Sequence, residues 1–159
     1  MPAVLRHNEK LELNLVEYWG GVSLAELKAM AAFMAQNPLR LQHDTLTIIQ
    51  PGCDFDAIAP ADLDALFAYY AKLFAPLDIH IMRRSAWVNR SAAAQSALRR
   101  WLSGDARALM RSNVRAFDSL PEAADWLLLN QEDLALIERG EGFVDIARFA
   151  GADLARGLA

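Results

Sequence analysis

The chain has 159 residues, a net charge of −4 and one cysteine, Cys53. That length suits one domain with a buried core, and the ordinary apolar and charged content excludes wholesale disorder. The single cysteine excludes an internal disulfide and any multi-cysteine metal site, and it fits a reducing, cytoplasmic setting.

The first residues, MPAVLRHNEKLELNL, carry Arg6, Glu9, Lys10 and Glu12 without an uninterrupted apolar run, so no signal peptide is expected. No stretch reaches the roughly 18 apolar residues of a membrane span. Val4 to Arg6 and Leu11 to Tyr18 read as two strands around the His7-Asn8-Glu9-Lys10 turn, the second alternating Leu11, Leu13 and Leu15 with Glu12 and Asn14. Gly20-Gly21 breaks that strand. Ser23-Leu24-Ala25-Glu26 is a capping box, and Leu24, Leu27, Met30, Ala31 and Met34 follow at helical spacing until Asn37-Pro38.

Thr45-Leu46-Thr47-Ile48-Ile49 is a β-branched run that suits a buried strand. Pro51-Gly52 marks a turn, and Pro60 suits the first turn of a helix with Leu63, Leu66, Phe67, Tyr70, Leu73 and Phe74 on its apolar face. Asp62 and Asp64 favour that helix's N-terminal dipole. Leu77 to Met82 reads as the next strand. Asn89 is a candidate cap for a third helix with Ala93, Ala94, Ala97, Leu98, Trp101 and Leu102 inward. Ser103-Gly104 breaks it, and Asp105 to Met110 reads as one more helical turn. Asn113 to Asp118 is a last short strand, and Ser119-Leu120-Pro121-Glu122 opens a helix through Trp126 and Leu127. Helical patterns around Asp133 to Glu138 and Phe143 to Leu158 finish the chain. Strands alternating with helices imply crossover connections and a mostly parallel sheet, with the opening hairpin as an antiparallel edge.

Charge is segregated along the chain. Residues 44 to 64 hold Asp44, Asp54, Asp56, Asp62 and Asp64 and no Lys or Arg, a net of −5; residues 83 to 115 hold eight arginines against Asp105, a net of +7. Such a pattern either steers partners or neutralises itself within the fold.

Val16-Glu17-Tyr18-Trp19-Gly20-Gly21-Val22-Ser23-Leu24-Ala25-Glu26-Leu27 has a strand, a glycine, a hydrophobe, a serine and an acidic helix start. Val114-Arg115-Ala116-Phe117-Asp118, followed by Ser119 to Trp126, has a closing strand and a helix containing Glu122, Ala123 and Trp126. Together they resemble the STAS-like superfamily, in its SpoIIAA-like branch, which is often grouped with the lipid-binding SEC14 fold. The resemblance spans roughly residues 1 to 129. It implies a partner surface after the central strand, where anti-sigma-factor antagonists of this superfamily carry a serine whose phosphorylation switches partner binding. Here that region reads Asp54-Phe55-Asp56-Ala57-Ile58-Ala59, with no serine or threonine between Thr47 and Ser85. Asp54 or Asp56 would stand as a fixed negative charge; the plain alternative is that both are solvated turn and capping groups.

No glycine-rich phosphate loop or G-x-S-x-G elbow is present. His7, His43 and His80 fall in no metal-ligand spacing, and no metal or cofactor is expected. A Cys53–His43–Asp54 nucleophile arrangement can be written down, against the alternative of a small structural cysteine. Arg83, Arg84 and Arg90, with Ser85, Trp87 and Asn89, form a candidate anion site, placed beyond a strand's carboxyl end and at a helix start. The alternative is that these arginines face solvent or pair with Asp54 and Asp56. Met30, Phe33, Met34, Phe67, Tyr70, Phe74 and Trp101 are either ordinary core or the lining of a lipid pocket. The amphipathic tail, with Phe143, Ile146, Ala147, Ala150, Leu154 and Leu158, is suited to packing on its own domain, covering a sheet edge or joining a homodimer. Nucleic acid is not expected, because the chain is acidic and has no aromatic-basic alternation.

The sequence therefore predicts an α/β domain at 1–129, with a mostly parallel sheet of four to five strands opened by an N-terminal hairpin and covered by helices. A helical C-terminal extension follows at 130–159. The expected function is a non-catalytic, cytoplasmic interaction or regulatory module whose partner site is Cys53, Asp54, Phe55, Asp56 and Ala57. The alternative is a carrier for a small anion or lipid. An enzyme is not expected.

Overall fold

Burial on both faces requires each strand to be apolar or internally paired along its length, and Leu13–Tyr18 is buried at every position. A computed structural model describes residues 2–77, 83–103 and 112–150. Strands β1 (Ala3–Asn8) and β2 (Leu13–Tyr18) form the opening hairpin, with Ala3 opposite Tyr18 and Asn8 opposite Leu13. The chain continues through α1 (Leu24–Gln36), β3 (Asp44–Ile49), α2 (Pro60–Phe74), β4 (Arg83–Asn89), α3 (Gln95–Ser103) and β5 (Ser112–Phe117). It then forms α4 (Leu120–Trp126), α5 (Gln131–Arg139) and β6 (Val144–Phe149). Helix starts follow the local chemistry. The Glu26 carboxylate accepts the Ser23 backbone N–H at 2.7 Å, Pro60 occupies the first turn of α2, and Asn130 and Asp133 form a reciprocal capping box on α5.

Among the described residues the sheet has six strands in the order β5-β4-β3-β2-β1-β6. Strands β2 to β5 pair in parallel, and β1 runs antiparallel to both β2 and β6. Three successive crossovers carry the chain in one direction from β2 to β5. With the usual right hand they put α1, α2 and α3 on a single face. The return from β5 to β6 crosses the sheet the other way, so the same hand puts α4 and α5 on the opposite face. Side-chain alternation matches this division. Val16, Tyr18 and Ile49 join the core under α1–α3, whereas Leu13, Leu15, Leu46, Ile48, Ala86 and Val88 join the core under α4 and α5.

Several expectations are corrected. The tail predicted as helix from Phe143 to Leu158 contains a strand, β6, because Phe149 reaches the core and its ring meets Phe33 at 6.1 Å; residues 151–158 lie outside the described residues. Strand β6 also removes β1 from the edge and takes the sheet beyond five strands. The strand predicted at Leu77 to Met82 is displaced: Leu77 ends a 3₁₀ turn, residues 78–82 lie outside the described residues, and the strand runs Arg83–Asn89. Asn89 consequently ends a strand rather than capping a helix, and α3 starts at Gln95. The predicted turn at Asp105 to Met110 lies outside the described residues.

Candidate functional site

The Cys53 to Ala57 stretch is built as a turn. Cys53 N–H donates to Gln50 O at 3.1 Å and Gly52 has φ of 78°, the geometry of a type II turn with Pro51 at its first corner. Asp54 exchanges backbone hydrogen bonds with Gly20 and Val22, and its Oδ1 accepts the Asp56 N–H at 3.1 Å. The buried Ser91 hydroxyl donates to Cys53 O at 2.6 Å. Cys53 and Phe55 are core residues, while Asp56 and Ala57 are exposed. Burial, then the Asp54 charge, pushes the Cys53 thiol up to about 11, the direction opposite to that of an activated nucleophile. His43 and Cys53 flank opposite ends of β3, six residues long, so no Cys53–His43 pair forms. His80 lies outside the described residues.

The six candidate anion residues are divided by strand alternation. Arg84 points toward α4. Its backbone N–H and guanidinium clamp Asp44 at 2.7, 3.0 and 2.5 Å, and its Nη1 donates to Trp126 O at 3.1 Å. Asn89 and Arg90 lie at the far end of β4, where Asn89 holds Ser91 and Gln95 through its side chain. Arg83, Ser85 and Trp87 face α1–α3, where they line a cavity of about 100 Å³. Arg83 thus sits at the amino end of its strand, not the carboxyl end expected. Among the described residues the acidic and basic segments meet through Asp44–Arg84 and Asp64–Arg100 rather than through Asp54 or Asp56.

The cavity is lined by Val16 and Tyr18 of β2, Met30, Ala31 and Met34 of α1, Thr45 and Thr47 of β3, and Phe67, Tyr70 and Phe74 of α2, with Trp101 of α3. Parallel register places Thr45 opposite Ser85 and Thr47 opposite Trp87, giving a strip of polar side chains across the floor. Trp87 stacks on Tyr18 with ring centres 6.4 Å apart, and Trp101 meets its edge at 5.0 Å. Arg83 Nη1 donates to Thr45 Oγ1 at 3.0 Å. Burial pushes the Arg83 pKa down to about 10, against the opposing pull of Asp44. Burial is also the main reason the Tyr18 and Tyr70 hydroxyls are held above the ordinary tyrosine range, so both remain neutral donors.

Six of the seven apolar residues singled out from sequence line this cavity; the seventh, Phe33, packs on Phe149 instead. The polar floor was not singled out, although Thr45 and Thr47 alternate with Leu46 and Ile48 and so share a face. A shallower surface hollow lies beside His7 and His43, whose rings are 5.1 Å apart. His7 is engaged by Asn14 at 3.0 Å. Among the described residues no group of three or more His, Cys, Asp or Glu is placed to hold a metal, and no helix is long and apolar enough to cross a membrane. In comparisons with known proteins, no family model matches the chain, and neither a curated protein nor a solved structure matches it.

Proposed function

We propose that this chain is a non-catalytic small-ligand-binding domain that takes a short, largely apolar molecule into the cavity between the sheet and α1–α3. The observation that carries the reading is the half-open, mostly apolar cavity of about 100 Å³ between the sheet and α1–α3. Packed interiors hold few voids larger than a water molecule, whose share of liquid volume is about 30 Å³. An aromatic wall and a few placed polar groups are the usual make-up of a ligand site. A STAS-like relationship belongs to the same proposal, supported by the order of strands and helices from β1 to α4. The interaction role expected of residues 53–57 is the weaker reading, because Cys53 and Phe55 are buried.

The chain has four tryptophans, of which Trp87 and Trp101 line the cavity and Trp19 and Trp126 do not. Titration with 1-butanol is expected to move the indole N–H signals of Trp87 and Trp101 and leave those of Trp19 and Trp126 in place. Ala31→Leu, which fills the cavity, is expected to abolish the response. Four unmoved signals, or four that move together, would overturn the reading.

A further inference from the structure

Among the described residues the cavity wall holds one cation, Arg83, and no carboxylate. Arg83 offers five N–H donors, and the side-chain acceptor it meets among the described residues is Thr45 Oγ1. No carboxylate among the described residues lies within ion-pair distance of it, since Asp44 is taken by Arg84 on the other face. Trp101 is a second, independent sign. It is 5% exposed, and its Nε1–H has no acceptor among the described residues. Tyr18 is a third, its hydroxyl donating, among the described residues, to the Met30 sulfur at 3.5 Å, a weak acceptor. Native interiors match their buried donors, and a molecule completing this wall brings acceptors and a negative charge.

Resting on the reading of the cavity as a ligand site, we propose that its ligand is a short-chain carboxylic acid, bound as the anion with its carboxylate on Arg83 and its alkyl part against Tyr18, Trp87 and Trp101. One guanidinium presents parallel donors that match a carboxylate's two oxygens. A doubly charged phosphate is less suited, because Arg83 is the one cationic residue among the described residues lining the cavity. Size selects a short chain. A cavity of roughly 150 Å³ holds the six carbons of benzene, so 100 Å³ encloses about four heavy atoms, and a six-atom acid such as butyrate leaves the rest of its length in the open side of the site. A lipid tail does not fit within that volume.

The test uses the full chain at pH 7 and reads the Trp87 and Trp101 indole signals together with calorimetry. The probes are butyrate, its neutral counterparts butyramide and 1-butanol, octanoate, and inorganic phosphate. Butyrate is expected to bind at least tenfold more tightly than either neutral probe, and more tightly than octanoate or phosphate. Arg83→Met is expected to weaken butyrate at least tenfold and to remove the preference for butyrate over butyramide and 1-butanol, and Arg83→Lys to keep part of that preference. Equal affinity for butyrate and butyramide in the unaltered chain would overturn the acid assignment without any variant and would leave the ligand-domain reading standing. Phosphate binding more tightly than butyrate would overturn the carboxylate, and octanoate binding more tightly would overturn the short chain. Failure of both butyrate and 1-butanol to move the two indoles would overturn the proposal and the reading beneath it.

Discussion

Arg83→Met is expected to make the ligand-free chain more stable. Arg83 is part-buried, and a pKa held down to about 10 by that burial means that the fold disfavours the charged guanidinium by at most about 3 kcal/mol relative to the unfolded chain. The sign follows from linkage. The folded pKa lies below the unfolded one, so the penalty is present in full at pH 7 and is relieved only as pH rises through about 10 and beyond. Methionine has similar length and no charge to desolvate. The substitution loses the hydrogen bond to Thr45, worth about 1.5 kcal/mol for a charged donor. The difference leaves a gain of at most about 1.5 kcal/mol, or a rise in Tm of up to about 6 °C for a chain of this size. Thermal unfolding of both chains in ligand-free buffer at pH 7, followed by circular dichroism, measures it. A Tm lowered by 2 °C or more would refute the reasoning and make Arg83 a structural anchor rather than a charge held at the fold's expense.

Arg84→Met is expected to act in the opposite direction, lowering stability by about 1–2 kcal/mol, because the part-buried clamp on Asp44 and the bond to Trp126 O are lost together; urea unfolding of the two neighbouring variants compares them directly. Cys53 is expected to resist iodoacetamide in the folded chain up to about pH 9, since its thiol is buried and titrates at about 11, and to react within minutes once urea unfolds the chain. Fast alkylation of the folded chain at pH 8 would count against the core placement of the turn. Phe149→Ala is expected to cost about 3 kcal/mol through the cavity it leaves beside Phe33, lowering Tm by about 6–12 °C; a shift below 2 °C would mean that β6 is not part of the cooperative unit.

Where local chemistry decides an element, the sequence was sufficient. The Ser23–Glu26 box, Pro60 in a first turn and Ser119 before α4 each satisfy or avoid free backbone donors within a few residues, and those helices begin where such chemistry puts them. The errors fall where pairing partners are distant. Val144–Phe149 has apolar positions compatible with a helix, and it becomes a strand because β1 offers an open edge more than a hundred residues earlier. The Arg83-Arg84 doublet was placed at the wrong end of its strand because the apolar residues before it suggested the strand itself. Once the register is known, alternation alone separates the doublet, and no local pattern announces which arginine meets a carboxylate.

That separation is also what makes the cavity chemically specific. Two adjacent arginines enter one strand, and the pleat sends one to each face. On the face under α4, Asp44 neutralises Arg84 and ties β3 to β4 at their amino ends. The same residue is too committed to neutralise Arg83, which is left among hydroxyls and aromatic rings. A charge retained in such surroundings lowers the stability of the empty fold and raises the affinity for an anion, since a bound carboxylate compensates the very desolvation that the fold imposes. Stability and anion binding should therefore respond in opposite senses to Arg83→Met, and in the same sense, both falling, to Asp44→Ala. Without Asp44, Arg84 loses its clamp, the β3–β4 end that supports Thr45 and Arg83 loosens, and the geometry of the anion contact is lost along with the strand pairing.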